Sequence, residues 1–153
     1  MILLAKAGIL RLFLEDVSRI IIPKVVYDEM KGKESFEVIF IDKEIENGRI
    51  KVMDINKVHY DNILKQFKLN EGEAAAYALF KNEKGKALLT DDGELIKLCK
   101  IENIPFMTAM SIVVGLFKRK KVTEKDAMEA LKKIYGYGRY SEEIYDYFKS
   151  EVK

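Results

Sequence analysis

Asp91 and Asp92 follow directly on Thr90 at the end of a short apolar run, residues 87–90, that reads as a β-strand. Gly93 then turns the chain into a helix over about residues 94–100. An Asp ahead of a helix is a standard N-cap, and one of the pair accounts for the start of the helix carrying Leu95 and Leu98. The second Asp is left over. Two adjacent carboxylates at the carboxyl end of a strand suit a hard divalent cation such as Mg²⁺ or Mn²⁺, which takes oxygen ligands.

Two further acids belong with them. Glu73 completes the capping box Asn70-Glu71-Gly72-Glu73, and that box alone accounts for a glutamate there. Gly72 is harder to account for, because Gly in a first helical turn costs about 1 kcal/mol relative to Ala. Something must approach the backbone closely at that point, a metal-bound phosphate being one candidate. Glu29 sits on the flank of the helix face that buries Val26 and Met30 and points partly inward, whereas Asp28 pairs by spacing with Lys24.

The elements that position these acids alternate between strand and helix. An apolar helix is expected over residues 2–15. A β-branched run at 19–22 is stopped by Pro23, which opens a helix over 24–30. A second strand falls at 50–53, and helices follow at 58–67 and from Asn70 to the Lys84-Gly85-Lys86 turn. After the strand at 87–90 and its helix comes a fourth strand at 104–107. Helices at 109–118, 124–134 and 142–149 finish the chain, with Gly136-Tyr137-Gly138-Arg139 read as a loop. This order predicts an α/β fold with a mainly parallel sheet and helices on both faces. In such sheets ligands bind at the carboxyl ends of the strands, where Thr90, Asp91 and Asp92 lie.

Composition narrows the classes. The chain has 153 residues, 48% of them hydrophobic and 34% charged, which is one globular domain's worth and excludes a disordered or fibrous protein. With 27 Lys and Arg against 25 Asp and Glu, net charge is +2, so any nucleic-acid contact must come from a local cluster. The basic run Lys118-Arg119-Lys120-Lys121 is the candidate, either closing its helix against the dipole or guiding RNA phosphates. Cys99 is the sole cysteine, which excludes an internal disulfide and a cysteine-based zinc site, and a reducing cytoplasm is expected. No segment is long and apolar enough to span a membrane. Lys and Glu dominate the charge and Gln66 is the sole glutamine, a composition similar to that of thermophiles. His59 reads as an ordinary surface residue. Tyr135, Tyr137, Tyr140, Tyr145 and Tyr147 are expected to pack the last helix or an oligomer interface, with stacking on bases as the alternative.

The stretches I-I-I-P-K-V-V-Y-D-E-M, L-N-E-G-E-A-A-A-Y-A-L-F and A-L-L-T-D-D-G-E-L-I-K-L-C-K, in this order and spacing, resemble the signatures of the PIN-domain family. The closest likeness is to the archaeal and bacterial branch related to VapC-type toxins, whose C-terminal part is similar to I-P-F-M-T-A-M-S-I-V-V-G-L-F-K-R-K-K-V. It spans residues 2–148. The resemblance implies a three-layer α/β/α, Rossmann-like sheet and an acidic cluster binding Mg²⁺ or Mn²⁺ for endoribonuclease chemistry. Carried over by position, Glu29, Glu73 and Asp92 match the family's metal ligands, Asp91 an auxiliary acid, and Thr90 the polar residue beside the site. The implied partners are an RNA substrate, an antitoxin protein and a second copy in a homodimer.

One departure divides the expectations. The family opens with a central strand ending in an Asp, and no acid precedes Glu15 here. The chain is therefore expected to be one PIN-like domain, residues 1–153, lacking its first strand. Either the start codon or the cloned boundary falls late and about ten further residues carry that strand, or the chain is a degenerate relative that keeps the fold as a binding or regulatory module without turnover. Loss of a central strand leaves two inner edges unpaired unless the sheet closes up.

Overall fold

The structure is a computed structural model that describes residues 1–153. In chain order the elements are α1 (Ile2–Lys6), α2 (Leu10–Asp16), β1 (Ile20–Pro23), α3 (Lys24–Lys31), α4 (Phe36–Glu46), β2 (Ile50–Met53), a 3₁₀ turn (Lys57–His59), α5 (Asp61–Gln66) and α6 (Glu71–Asn82). They continue with β3 (Leu88–Leu89), α7 (Gly93–Ile101), β4 (Phe106–Met107), α8 (Ala109–Lys118), α9 (Glu124–Tyr137) and α10 (Glu142–Ser150). The chain divides into two compact units, one of residues 19–107 and one of residues 1–18 with 108–153.

The unit of residues 19–107 is mixed α/β with parallel strands, as the alternation of strand and helix predicts. β1 pairs with β2 from Ile20 opposite Ile50 to Pro23 opposite Met53. β3 pairs with β4 through Leu88 opposite Phe106 and Leu89 opposite Met107, extended by bonds from Leu88 N to Pro105 O and Thr90 N to Met107 O. Helices connect the strands of each pair, which is what parallel pairing requires. The two pairs share no strand pairing with one another, so one edge of β1 and one edge of β3 lack a strand partner. The sheet does not close across them. α6 instead packs against both β1 and β3. Its Ala74, Ala75, Tyr77 and Ala78 form a core with Leu88, Leu95, Leu98, Cys99 and Ile104. Each fully buried leucine there contributes about 1.5–3 kcal/mol.

α4 is an element that periodicity does not predict. Its segment is apolar on both faces: Val38 and Ile41 are buried, while Phe36 is 80% and Ile39 67% exposed, so no single stripe marks the helix. The segment expected as one helix at 58–67 is the 3₁₀ turn followed by α5.

The second unit is helical. α1 packs on α9, α2 on α8, and α10 on both α8 and α9. Leu4, Leu10, Phe13, Val113, Leu116, Leu131 and Ile134 are buried. The single helix expected over residues 2–15 is broken at Gly8, which has φ +74°, with N–H groups of Gly8 and Ile9 bonded back to Ala5 and Leu4 carbonyls. That is a glycine stop inside an otherwise continuous apolar pattern. The supposed loop at 136–139 is corrected as well: Gly136 and Tyr137 are the last turn of α9, and Gly138 caps it by donating to Ile134 O. The tyrosines are engaged within the unit. Tyr135 and Tyr145 stack at 4.4 Å between centroids, Tyr147 meets Phe148 edge-on, and Lys6 lies over Tyr137. No helix is long and apolar enough to cross a membrane.

These two glycines call for opposite responses. A Cβ meets nothing within 4 Å at either Gly8 or Gly136, so backbone conformation alone decides. Gly8→Ala should destabilise the protein by about 1–2 kcal/mol through its left-handed φ, and Gly136→Ala should stabilise it by up to about 1 kcal/mol, both read by chemical denaturation.

Candidate functional site

Thr90, Asp91 and Asp92 occupy the carboxyl end of β3, as the sequence predicts. Thr90 is buried, and its Oγ1 accepts from Asp92 N at 3.1 Å, which fixes the turn between strand and helix. Asp92 is the N-cap of α7, its Oδ1 accepting from Leu95 N at 2.8 Å. Asp91 is exposed on the same turn. Of the two acids, then, Asp92 serves as the cap, and one oxygen of its carboxylate meets that need.

Glu73 is held by a full capping box at the start of α6. Asn70 Oδ1 accepts from Glu73 N at 2.9 Å, and Glu73 Oε2 accepts from Asn70 N at 2.9 Å. A third bond, from Asn70 Nδ2 to Glu73 Oε1 at 2.8 Å, lies outside the ordinary box. Sequence reasoning sees Asn70 only as a cap, since nothing in a spacing pattern shows where the amide nitrogen of a capping residue goes.

The acids converge across three elements. Burial pushes the Glu73 carboxyl above its ordinary pKa against the lowering effect of the Asn70 backbone bond. Asp92, within reach to share a proton, pushes it further the same way, and so does the charge of Glu29. Glu29, expected to point partly inward, is instead exposed on α3, whose only buried side chain is Met30. Gly72 explains how it comes near: a Cβ on Gly72 would lie 3.1 Å from Val26 Cγ2, 3.4 Å from Asn70 Oδ1 and 3.5 Å from Glu29 Oε2. The close approach anticipated at Gly72 is therefore made by α3. The face of α3 that carries Val26 and Glu29 presses on the first turn of α6.

This set offers oxygen donors alone, and no Lys or Arg contributes to the shift at Glu73. Its chemistry fits Mg²⁺ or Mn²⁺ with Glu29, Glu73 and Asp92 as the residues that would hold the ion. As they stand, no three His, Cys, Asp or Glu side chains are grouped closely enough to hold a metal, so binding requires the carboxylates to draw together.

The basic run lies in the other unit, at the end of α8. Lys118 is ion-paired with Glu151, and Arg119 with Asp16 at 2.5 Å. Lys120, with φ +58°, and Lys121 are exposed and make no ion pair. They rim an open groove of about 710 Å³ floored by Ile9, Leu12, Phe117 and Ala130. His59 is exposed, as expected.

A sequence profile described as PIN domain matches residues 1–153, the whole chain, and the chain belongs to that family. No curated protein and no solved structure gives a significant match. PIN domains are in general nucleases acting on RNA with divalent metals, which agrees with a donor set of carboxylates at strand and helix ends.

The packing at Gly72 and the shift at Glu73 each have a measurable consequence. Gly72→Ala should show none of the gain of about 1 kcal/mol that helix propensity alone promises, because Val26 must retreat from the new methyl; denaturation beside Gly136→Ala makes the comparison. A carboxyl whose folded pKa is raised binds more protons in the native state than in the unfolded state. Its contribution to stability is complete below the unfolded value and is lost as pH rises through the folded one. Melting temperature measured from about pH 4 to pH 8 should fall on that account in the metal-free protein, and Glu73→Gln should remove that part of the slope.

Proposed function

We propose, from membership of the PIN-domain family and the convergence of Glu29, Glu73 and Asp92, that the chain is a divalent-metal-dependent endoribonuclease acting as one PIN-like domain, the toxin component of a toxin–antitoxin pair. The observation that supports the reading is the approach of Asp92, from the β3–α7 turn, and Glu29, from α3, to Glu73 on α6, near enough for both to push its carboxyl upward, with no cation contributing to that shift. A structural ion-pair network would have supplied a Lys or Arg.

Mg²⁺ or Mn²⁺, when bound, supplies charge neutralisation at a phosphodiester and lowers the pKa of water. The chain's own residues do the positioning. Thr90 sets the backbone of Asp92, the α7 cap leaves Asp92 Oδ2 without a backbone donor, and Glu73 is anchored at both oxygens. Glu29 arrives on a separate helix. Lys120 and Lys121, free of ion pairs, are the residues of the basic run available to RNA phosphates. The antitoxin partner and the homodimer rest on the likeness of the motifs to VapC-type toxins.

A second reading is favoured by one observation: Glu73 and Asp92 are both satisfied as helix caps, and no three acids are grouped to hold an ion. On that reading the chain is a PIN-like binding or regulatory module. The two separate in one assay, Mg²⁺- and Mn²⁺-dependent cleavage of a mixed RNA pool by this chain beside Asp92→Asn prepared identically. The nuclease reading expects metal-dependent cleavage that falls in the mutant by more than the 10–100-fold typical of an outer-shell loss, roughly. Absence of cleavage by either protein, with unaltered Mn²⁺ binding in the mutant, rejects turnover by this chain, and restoring an upstream strand ending in Asp then separates the module from a nuclease lacking its first acid. Joint replacement of Lys120 and Lys121 by Ala should weaken RNA binding and lower the slope of log affinity against log salt by about 1–2.

A further inference from the structure

We infer that Asn70 is a positioning residue for the acidic site, setting the orientation of the Glu73 carboxylate through its side-chain amide in addition to capping α6. The inference rests on the reading of Glu29, Glu73 and Asp92 as metal-holding acids and deepens it.

An ordinary capping box holds its glutamate through one bond, from the N-cap backbone N–H to one carboxylate oxygen. Here that bond runs from Asn70 N to Oε2 at 2.9 Å, and the Asn70 amide adds a second, from Nδ2 to Oε1 at 2.8 Å. One bond leaves a carboxylate free to swing about its anchored oxygen. Two bonds to two oxygens fix its plane. The same amide is committed at its other end, where Oδ1 accepts from Glu73 N at 2.9 Å, so its own orientation is determined by the helix start. Both donors are neutral and directed at a carboxylate whose neighbours, Asp92 and Glu29, repel its charge. The clamp holds Glu73 in place against that repulsion, leaving one lone pair on each oxygen. Oδ1 of Asn70 also lies 3.4 Å from where a Gly72 Cβ would be, and Glu29 Oε2 lies 3.5 Å from the same point. Asn70 therefore borders the point where α3 meets α6.

The amide is what distinguishes Asn from the other good N-caps. Ser accepts from the helix N–H as Asn does and caps about as well, but has no amide nitrogen to reach Oε1. Asn70→Ser thus keeps the cap and the backbone bond while deleting the second anchor. The test is Mn²⁺ binding to the full chain by titration calorimetry, with melting temperature measured on the same samples, for the unchanged protein, Asn70→Ser and Asp92→Asn. The expected result is a melting temperature for Asn70→Ser equal to that of the unchanged protein and an Mn²⁺ affinity lower by roughly 10-fold, as for loss of a second-shell partner. Equal Mn²⁺ affinity in Asn70→Ser, with binding lost in Asp92→Asn, overturns the role of Asn70 and leaves the acidic site standing. An affinity loss matched by a fall in melting temperature also overturns it, since a weakened helix start then explains both. No saturable binding by the unchanged protein overturns the acidic site and this inference together.

Discussion

The close crossing of α3 and the first turn of α6 at Gly72 is the constraint on which the arrangement of the acids depends. Helices normally keep 8–10 Å apart, roughly the thickness of the side chains between them. Gly72 has no side chain, and a single Cβ there would already press on Val26 at 3.1 Å. The cost of a glycine in the first helical turn is offset by bringing α3 near enough for the Glu29 carboxylate to act on Glu73. A methyl at this point would act as a wedge between the two elements that carry those acids.

On the metal-holding reading the acids serve two ends, and the physics of helix termini makes the uses compatible. The N–H groups at a helix start are unsatisfied donors that favour a carboxylate. Glu73 and Asp92 each meet that demand, at α6 and α7. A cap uses one lone pair of one oxygen, whereas a carboxylate offers about four. What remains is acceptor capacity gathered where burial and like charge both work against ionisation, as the upward shift of Glu73 records. Capping anchors Glu73 and Asp92, and on the metal-holding reading their mutual repulsion would favour a cation.

Much of this was legible in residues 19–107 because the signals are local. Pro23 after a β-branched run, the box Asn70-Glu71-Gly72-Glu73 and the Asp ahead of Leu95 each announce an element boundary within a few residues, and each boundary lies where expected. The break at Gly8 was not legible, because Leu3, Ala7, Leu10 and Leu14 keep helical spacing across it and only the +74° φ of one glycine reveals the stop. α4 escaped for the opposite reason: Phe36 and Ile39 are apolar on the outer face, so the period that marks a helix is blurred. Gly72 announced a close approach without naming what approaches. That the neighbour is α3 is a long-range fact, and so is the second bond made by Asn70.

The two strand pairs give the site its mechanical character. Pairs that shared a ladder would hold the α3 acid, which follows β1, and the Asp92 turn, which follows β3, at a separation set by backbone hydrogen bonds. Here β1 and β3 are not paired with each other, and α6 packs on both. The spacing of Glu29 and Asp92 is then set by apolar contacts of Ala74, Ala75 and Ala78 with their neighbours and by the crossing at Gly72. Such contacts are non-directional and yield more readily than a ladder. The helix that bridges the two pairs also carries Glu73, so a movement of α6 changes its separation from both Glu29 and Asp92. On the metal-holding reading, the carboxylates would be drawn together through α6, the element whose first turn is tied by Asn70 and whose body is buried.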